Sequence, residues 1–160
     1  MRSRPAIALL ALWLAASSAA GSDELLGEWI TPGYAARVRI HACKSAQDST
    51  CGTITWLWEP VDRSGKPVRD ASNGDATLRE RPLEGLEILS GFRRAGAGRW
   101  SEGSIYNPED GRRYSAHLRL RTAEVLEVEG CVLFICKQQI WRRSGAGLPT
   151  PEPAAKGTPP

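Results

Sequence analysis

Two stretches of this sequence bring carboxylates together with other polar groups. The first is Asn107-Pro108-Glu109-Asp110-Gly111, which sets two carboxylates and an amide in a row. Acid–base chemistry would need both acids to converge on one substrate, and side chains adjacent in sequence diverge. A calcium site takes about six to eight oxygens, more than this segment offers. Pro108 presets φ for the first turn position, and Gly111 accepts the positive φ that a bulged hairpin loop requires. The segment therefore reads as a turn between two strands.

The second stretch holds Asp70, Asn73, Arg79, Arg81 and Glu84. An arginine can grip a carboxylate with two parallel hydrogen bonds. The favoured reading is local: Asp70 or Asn73 caps a short helix, and Arg81 pairs nearby. The functional reading is a polar rim at a barrel mouth that orients an anionic head group. Of six tryptophans, Trp13 lies in the leader, while Trp29, Trp56, Trp58, Trp100 and Trp141 remain. Small barrels use such residues as core, each burying roughly 150–250 Å²; the alternative is an aromatic-lined pocket. The candidate ligand-binding set is accordingly Trp56, Trp58, Asp70, Asn73, Arg81, Trp100 and Tyr106.

Catalysis has little to stand on. His41 and His117 alternate with arginines and are expected to face solvent. A serine nucleophile needs a histidine base, and the sequence has no Gly-x-Ser-x-Gly elbow or glycine-rich phosphate loop. No catalytic residue and no metal ligand is assigned, and the protein reads as a non-enzyme. Cys43, Cys51, Cys131 and Cys136 form an even set, which in an exported chain reads as two disulfides. Three pairings are open, and the local one, Cys43 with Cys51 and Cys131 with Cys136, is favoured because each pair flanks a short hairpin connection. Zinc is the weaker reading, since the Cys-x-x-Cys spacing is absent.

The elements that position these residues are short strands. Residues 1–20 read as a signal peptide: a basic Met1–Arg4, the apolar run AIALLALWLAA and a small-residue end. That run is shorter than the ~17–25 residues of a membrane span. Removing Arg2 and Arg4 with it leaves 19 basic against 18 acidic residues. The charges are interspersed, without the basic face that nucleic acid requires. The mature domain is expected at 21–143. Period-two alternation marks strands at 37–43, 51–58, 112–121 and 124–130. Shorter candidates lie at 26–30, 83–92, 98–106 and 136–143. Ile54, Trp56 and Trp58 are expected to share one face. Ala76 to Arg81 is expected to form one helical turn before Pro82. Residues 144–160 carry five prolines and read as a disordered tail.

About eight antiparallel strands in sequence order predict a small all-β, up-and-down barrel, which is filled by side chains or holds one small ligand. The pattern W-x-x-G-x-I-Y-N-P-E-D-G-x-x-Y, Trp100 to Tyr114, resembles the hallmark of the bacterial exported family labelled domain of unknown function 2147. Cys51-Gly52, Asp70, Asn73, Leu78-Arg-Glu-Arg-Pro-Leu-Glu-Gly85 and Gln139-Ile-Trp141-Arg142 agree with it, so the resemblance spans about 26–143. It implies a lipocalin-like barrel outside the cytoplasm and carries no established activity. The expected function is non-covalent binding of a small apolar or amphipathic molecule, without cofactor, in the periplasm or medium. The alternative is an envelope protein–protein module with a filled barrel and no ligand.

Overall fold

The computed structural model describes residues 24–46 and 48–145; the expected signal peptide and nearly all of the expected tail lie outside them. Eight strands run in sequence order around a closed antiparallel barrel: β1 (Gly27–Ile30), β2 (Ala36–Ala42), β3 (Thr50–Leu57), β4 (Glu87–Gly96), β5 (Arg99–Asn107), β6 (Arg112–Thr122), β7 (Val125–Val132) and β8 (Ile135–Arg143). Each expected strand is present, shifted by a few residues at most. Both local disulfides form, with Cα separations of 4.9 Å for Cys43–Cys51 and 4.0 Å for Cys131–Cys136. They staple opposite ends of the barrel.

Alternation delivers the core. Val38, Ile40, Ile54, Leu89, Phe92, Leu118, Leu126 and Val128 are buried beside Trp29, Trp100 and Trp141. Small residues make room for large ones. A Cβ at Gly103 would stand 2.4 Å from the Phe92 ring, and one at Gly52 would stand 2.9 Å from Leu89. Arg143 closes the end where the chain enters and leaves. Its guanidinium lies 4.2 Å from the centre of the Trp29 ring. It donates to the carbonyls of Leu26 (2.9 Å), Ala123 (2.5 Å) and Glu24.

Two sequence expectations need correction. The pairing of β2 with β3 slips between Arg37 and Val38, so that Val38 faces Ile54 while Arg37 faces Trp56. The extra residue on β3 turns Trp56 and Trp58 away from Ile54 to the outer wall, where Arg37 lies over Trp56 at 5.3 Å and Trp58 is 57% exposed. A bulge inserted in one strand reverses the faces beyond it. Second, the helical turn is a 3-10 turn over Ala76–Leu78 capped by Asp75, which accepts from the Thr77 amide at 2.9 Å; neither Asp70 nor Asn73 caps it. A further 3-10 turn, Pro32–Tyr34, joins β1 to β2.

Closure of the barrel is thin. β1 meets β8 only at Trp29–Arg143 and Ile30–Arg142, whereas β7 pairs with β8 from Val125 to Val132. The far part of β8 thus overhangs β1, with its outer edge unpaired among the described residues.

Candidate functional site

Residues 58–86 connect β3 to β4 at the end that also carries the β1–β2, β5–β6 and β7–β8 turns. Within this connection the Asp70 amide donates to the Arg81 carbonyl at 3.0 Å, and the Leu83 amide to the Val68 carbonyl at 3.0 Å. The resulting strap lies over Tyr106. Tyr106 faces Arg113 across the β5–β6 ladder, on the side opposite the inward Ile105.

Asp70 is the centre of the strap and is fully buried. Its Oδ1 accepts from the Tyr106 hydroxyl at 2.6 Å. Its Oδ2 accepts from Asn73 Nδ2 (2.7 Å), Arg81 Nε (2.9 Å) and Arg81 Nη2 (2.7 Å). Asn73 also reaches the Tyr106 oxygen at 2.9 Å. Burial alone would raise the Asp70 pKa, but the hydrogen bonds from Tyr106, Asn73 and Arg81 outweigh it and hold the carboxyl below its ordinary value. Burial, then the Asp70 hydrogen bond and charge, push the Tyr106 phenol up. A carboxylate with both oxygens engaged and held ionised is a poor general base and a strong tie.

The Asn107–Gly111 turn completes the joint. Gly111 has φ +69°, and a Cβ there would stand 1.9 Å from the Ser72 carbonyl oxygen. Only glycine meets both the conformation and the approach. Asn107 Oδ1 accepts from the Glu109 amide at 3.2 Å, and Asp110 accepts from the Arg112 amide at 3.0 Å and from the Tyr114 hydroxyl. The two carboxylates therefore serve a turn, as their setting in the sequence indicates.

The candidate ligand-binding residues thus separate into three places. Asp70, Asn73, Arg81 and Tyr106 meet in the strap joint. Trp100 is packed in the barrel interior. Trp56 and Trp58 sit on the outer wall in edge-to-face contact, with ring centres 6.1 Å apart. His117 is exposed and His41 is half-buried, within reach of Thr53 Oγ1 at 3.0 Å. Among the described residues Glu129 groups with Cys131 and Cys136 at ligand-like spacing, but the disulfide occupies both sulfurs.

A surface that the sequence reading did not single out lies on the overhang of β7 and β8. Leu126 and Trp141 pair across the ladder and are both buried in the interior. Period two then puts Val128 with Gln139, Gly130 with Lys137, and Val132 with Ile135 on that same inner face. Ile135, Lys137 and Gln139 are nevertheless exposed. The inner wall of the barrel is therefore open to solvent where β1 falls short of β8. Half-buried Tyr114 and Ile105 flank this mouth; Gly130 admits them, since a Cβ there would stand 3.2 Å from Ile105.

The family model described as "Uncharacterized protein conserved in bacteria (DUF2147)" matches residues 27–143. The chain belongs to that family. The matched region includes Tyr106 and Gly111, the β5–β6 side of the strap joint. A solved structure described as "Protein HP1028 from the human pathogen Helicobacter pylori belongs to the lipocalin family" superposes with a TM-score of 0.64 at 20% identity, covering 74% of this chain and 82% of that one. This shared architecture makes the fold lipocalin-like. A comparison with curated proteins finds no match.

Proposed function

We propose that this DUF2147 protein is an exported binding protein that holds a small apolar or amphipathic molecule, non-covalently and without cofactor, in the mouth between β8 and β1. The observation that carries the reading is the exposed inner face of β8. Val132, Ile135 and Tyr114 offer apolar surface there, and Lys137 supplies one cation for an acidic head group. The core below is packed with Trp29, Trp100, Trp141 and Phe92, which supports a ligand lying in the mouth over one threaded down the barrel axis. No catalytic role is proposed. Two disulfides support an oxidising compartment, periplasm or medium, reached through the leader at residues 1–20.

The test is native mass spectrometry of the protein exported with its own leader and purified gently. The expected result is a reproducible extra mass that is lost on denaturation and is reduced in Lys137→Glu. The same packed core favours a second reading, a filled barrel that works as a protein–protein module. A bare mature mass from both proteins would support that reading and sink the first.

A further inference from the structure

The hairpin that ends the overhang is unusual for a water-facing turn. Its residues are Val132-Leu133-Phe134-Ile135, with no polar side chain among them. Leu133 is 89% and Phe134 88% exposed, with Val132 at 50% and Ile135 at 65%. Val132 pairs with Ile135, so Leu133 and Phe134 form a two-residue loop. Leu133 has φ +53°, a position that hairpins of this length normally give to glycine or asparagine. A leucine held there satisfies neither water nor its own backbone. The Cys131–Cys136 disulfide closes the hairpin directly behind the tip and holds its two strands together.

We infer that the Val132–Ile135 tip is an anchor that inserts into the interfacial region of a lipid bilayer. The tip is convex. The last β6–β7 pair is Ser115–Cys131, so the tip stands clear of the sheet on both sides. Burying Leu133 and Phe134 all round requires a medium that flows around them. The four side chains present on the order of 500 Å², short of the ~800 Å² that each partner contributes to a stable protein interface. Trp58 and Val61, exposed on the connection that leaves β3 at the same end, provide a second apolar contact of the amphipathic kind found at membrane interfaces. Charges near the tip are mixed: Arg112, Arg113 and Lys137 against Glu109, Asp110 and Glu129. The attraction is therefore hydrophobic and indifferent to lipid charge. It goes beyond the ligand reading and does not depend on it, although it would set the mouth against the lipid surface.

The test is co-sedimentation of the mature, disulfide-bonded protein with phosphatidylcholine vesicles. The wild type is expected to partition onto vesicles equally in about 0.05 M and about 0.5 M salt, which bracket weak and strong screening. Leu133→Ser with Phe134→Ser is expected to lower partitioning at least about tenfold with the unfolding midpoint preserved. Lys137→Glu, which disturbs the mouth, is expected to leave partitioning intact, so that failure of the anchor and failure of the ligand reading are separable. In Phe134→Trp, fluorescence should be quenched by lipids brominated high on the acyl chain. Absence of vesicle binding, binding unchanged in the double serine variant, or binding abolished by salt would each overturn the inference. So would a dimer in sedimentation velocity that the double variant loses, because the tip would then be covered by a second copy.

Discussion

The Tyr106 hydroxyl donates to Asp70 Oδ1 at 2.6 Å across 36 residues of chain, tying the β3–β4 connection to the β5–β6 hairpin. Tyr106→Phe removes one donor and leaves a buried carboxylate oxygen without a partner. The expected cost is about 1–3 kcal/mol, read as a lowered midpoint in urea with an unchanged slope. A fall in midpoint no larger than that of Tyr114→Phe, whose hydroxyl serves an exposed turn, would show that the joint does not stabilise the barrel.

The same carboxylate sets an acid limit. Asp70 is held below its ordinary value of 3.8, so the folded state binds its proton more weakly than the unfolded chain. Its contribution is present above 3.8 and is lost as pH falls through that value towards the folded one. Asp62, Asp75 and Asp110 are shifted the same way, so the informative quantity is a difference. Asp70→Asn is expected to be less stable than wild type at pH 7 and to lose less stability on acidification below about pH 4. Parallel stability curves for the two proteins would refute the assignment.

These two predictions rest on contacts that only part of the sequence declares. Alternation declares the strands, because a half-buried sheet fixes a period of two. The short spacing between the members of each cysteine pair declares the staples, and Pro108 with Gly111 declares the turn. The Asp70–Tyr106 bond joins residues with no spacing rule between them, so the reading could name both residues but not their meeting. The reversal of Trp56 and Trp58 comes from a bulge that no glycine or proline announces. The exposed mouth follows from how far β1 falls short of β8, a length set by tertiary pairing. The Val-Leu-Phe-Ile run falls in the connection that Cys131 and Cys136 flank, so its place in a hairpin turn is legible; its exposure to water depends on how far β7 and β8 reach beyond their neighbours.

Gly103 tests the packing of the interior. Gly103→Ala would push a methyl into the Phe92 ring, since the Cβ position lies 2.4 Å from it. The expected cost of overpacking is about 1–3 kcal/mol. Adding Phe92→Leu, which by itself leaves a void, is expected to recover part of that loss, giving a non-additive double-mutant cycle. Additive costs would mean that the two residues do not share the space assigned to them, and would favour a looser, more lipocalin-like lumen.

At the opposite end, Arg143 combines two functions that lysine cannot reproduce together. Its planar guanidinium lies 4.2 Å from the centre of the Trp29 ring while its separate nitrogens reach the carbonyls of Leu26, Ala123 and Glu24. Arg143→Ala removes the lid from a fully buried tryptophan and strips donors from three carbonyls. A stacked cation contributes about 0.5–2 kcal/mol, and the lost hydrogen bonds add roughly 1 kcal/mol each where water cannot replace them. Arg143→Lys restores the charge without the fork, so it is expected to recover less than half of the loss. Trp29 should report this directly: alanine is expected to red-shift the tryptophan emission of the folded protein and to increase quenching by acrylamide. If lysine restored both stability and emission, charge alone would seal this end of the barrel, and the stacked geometry would carry no weight.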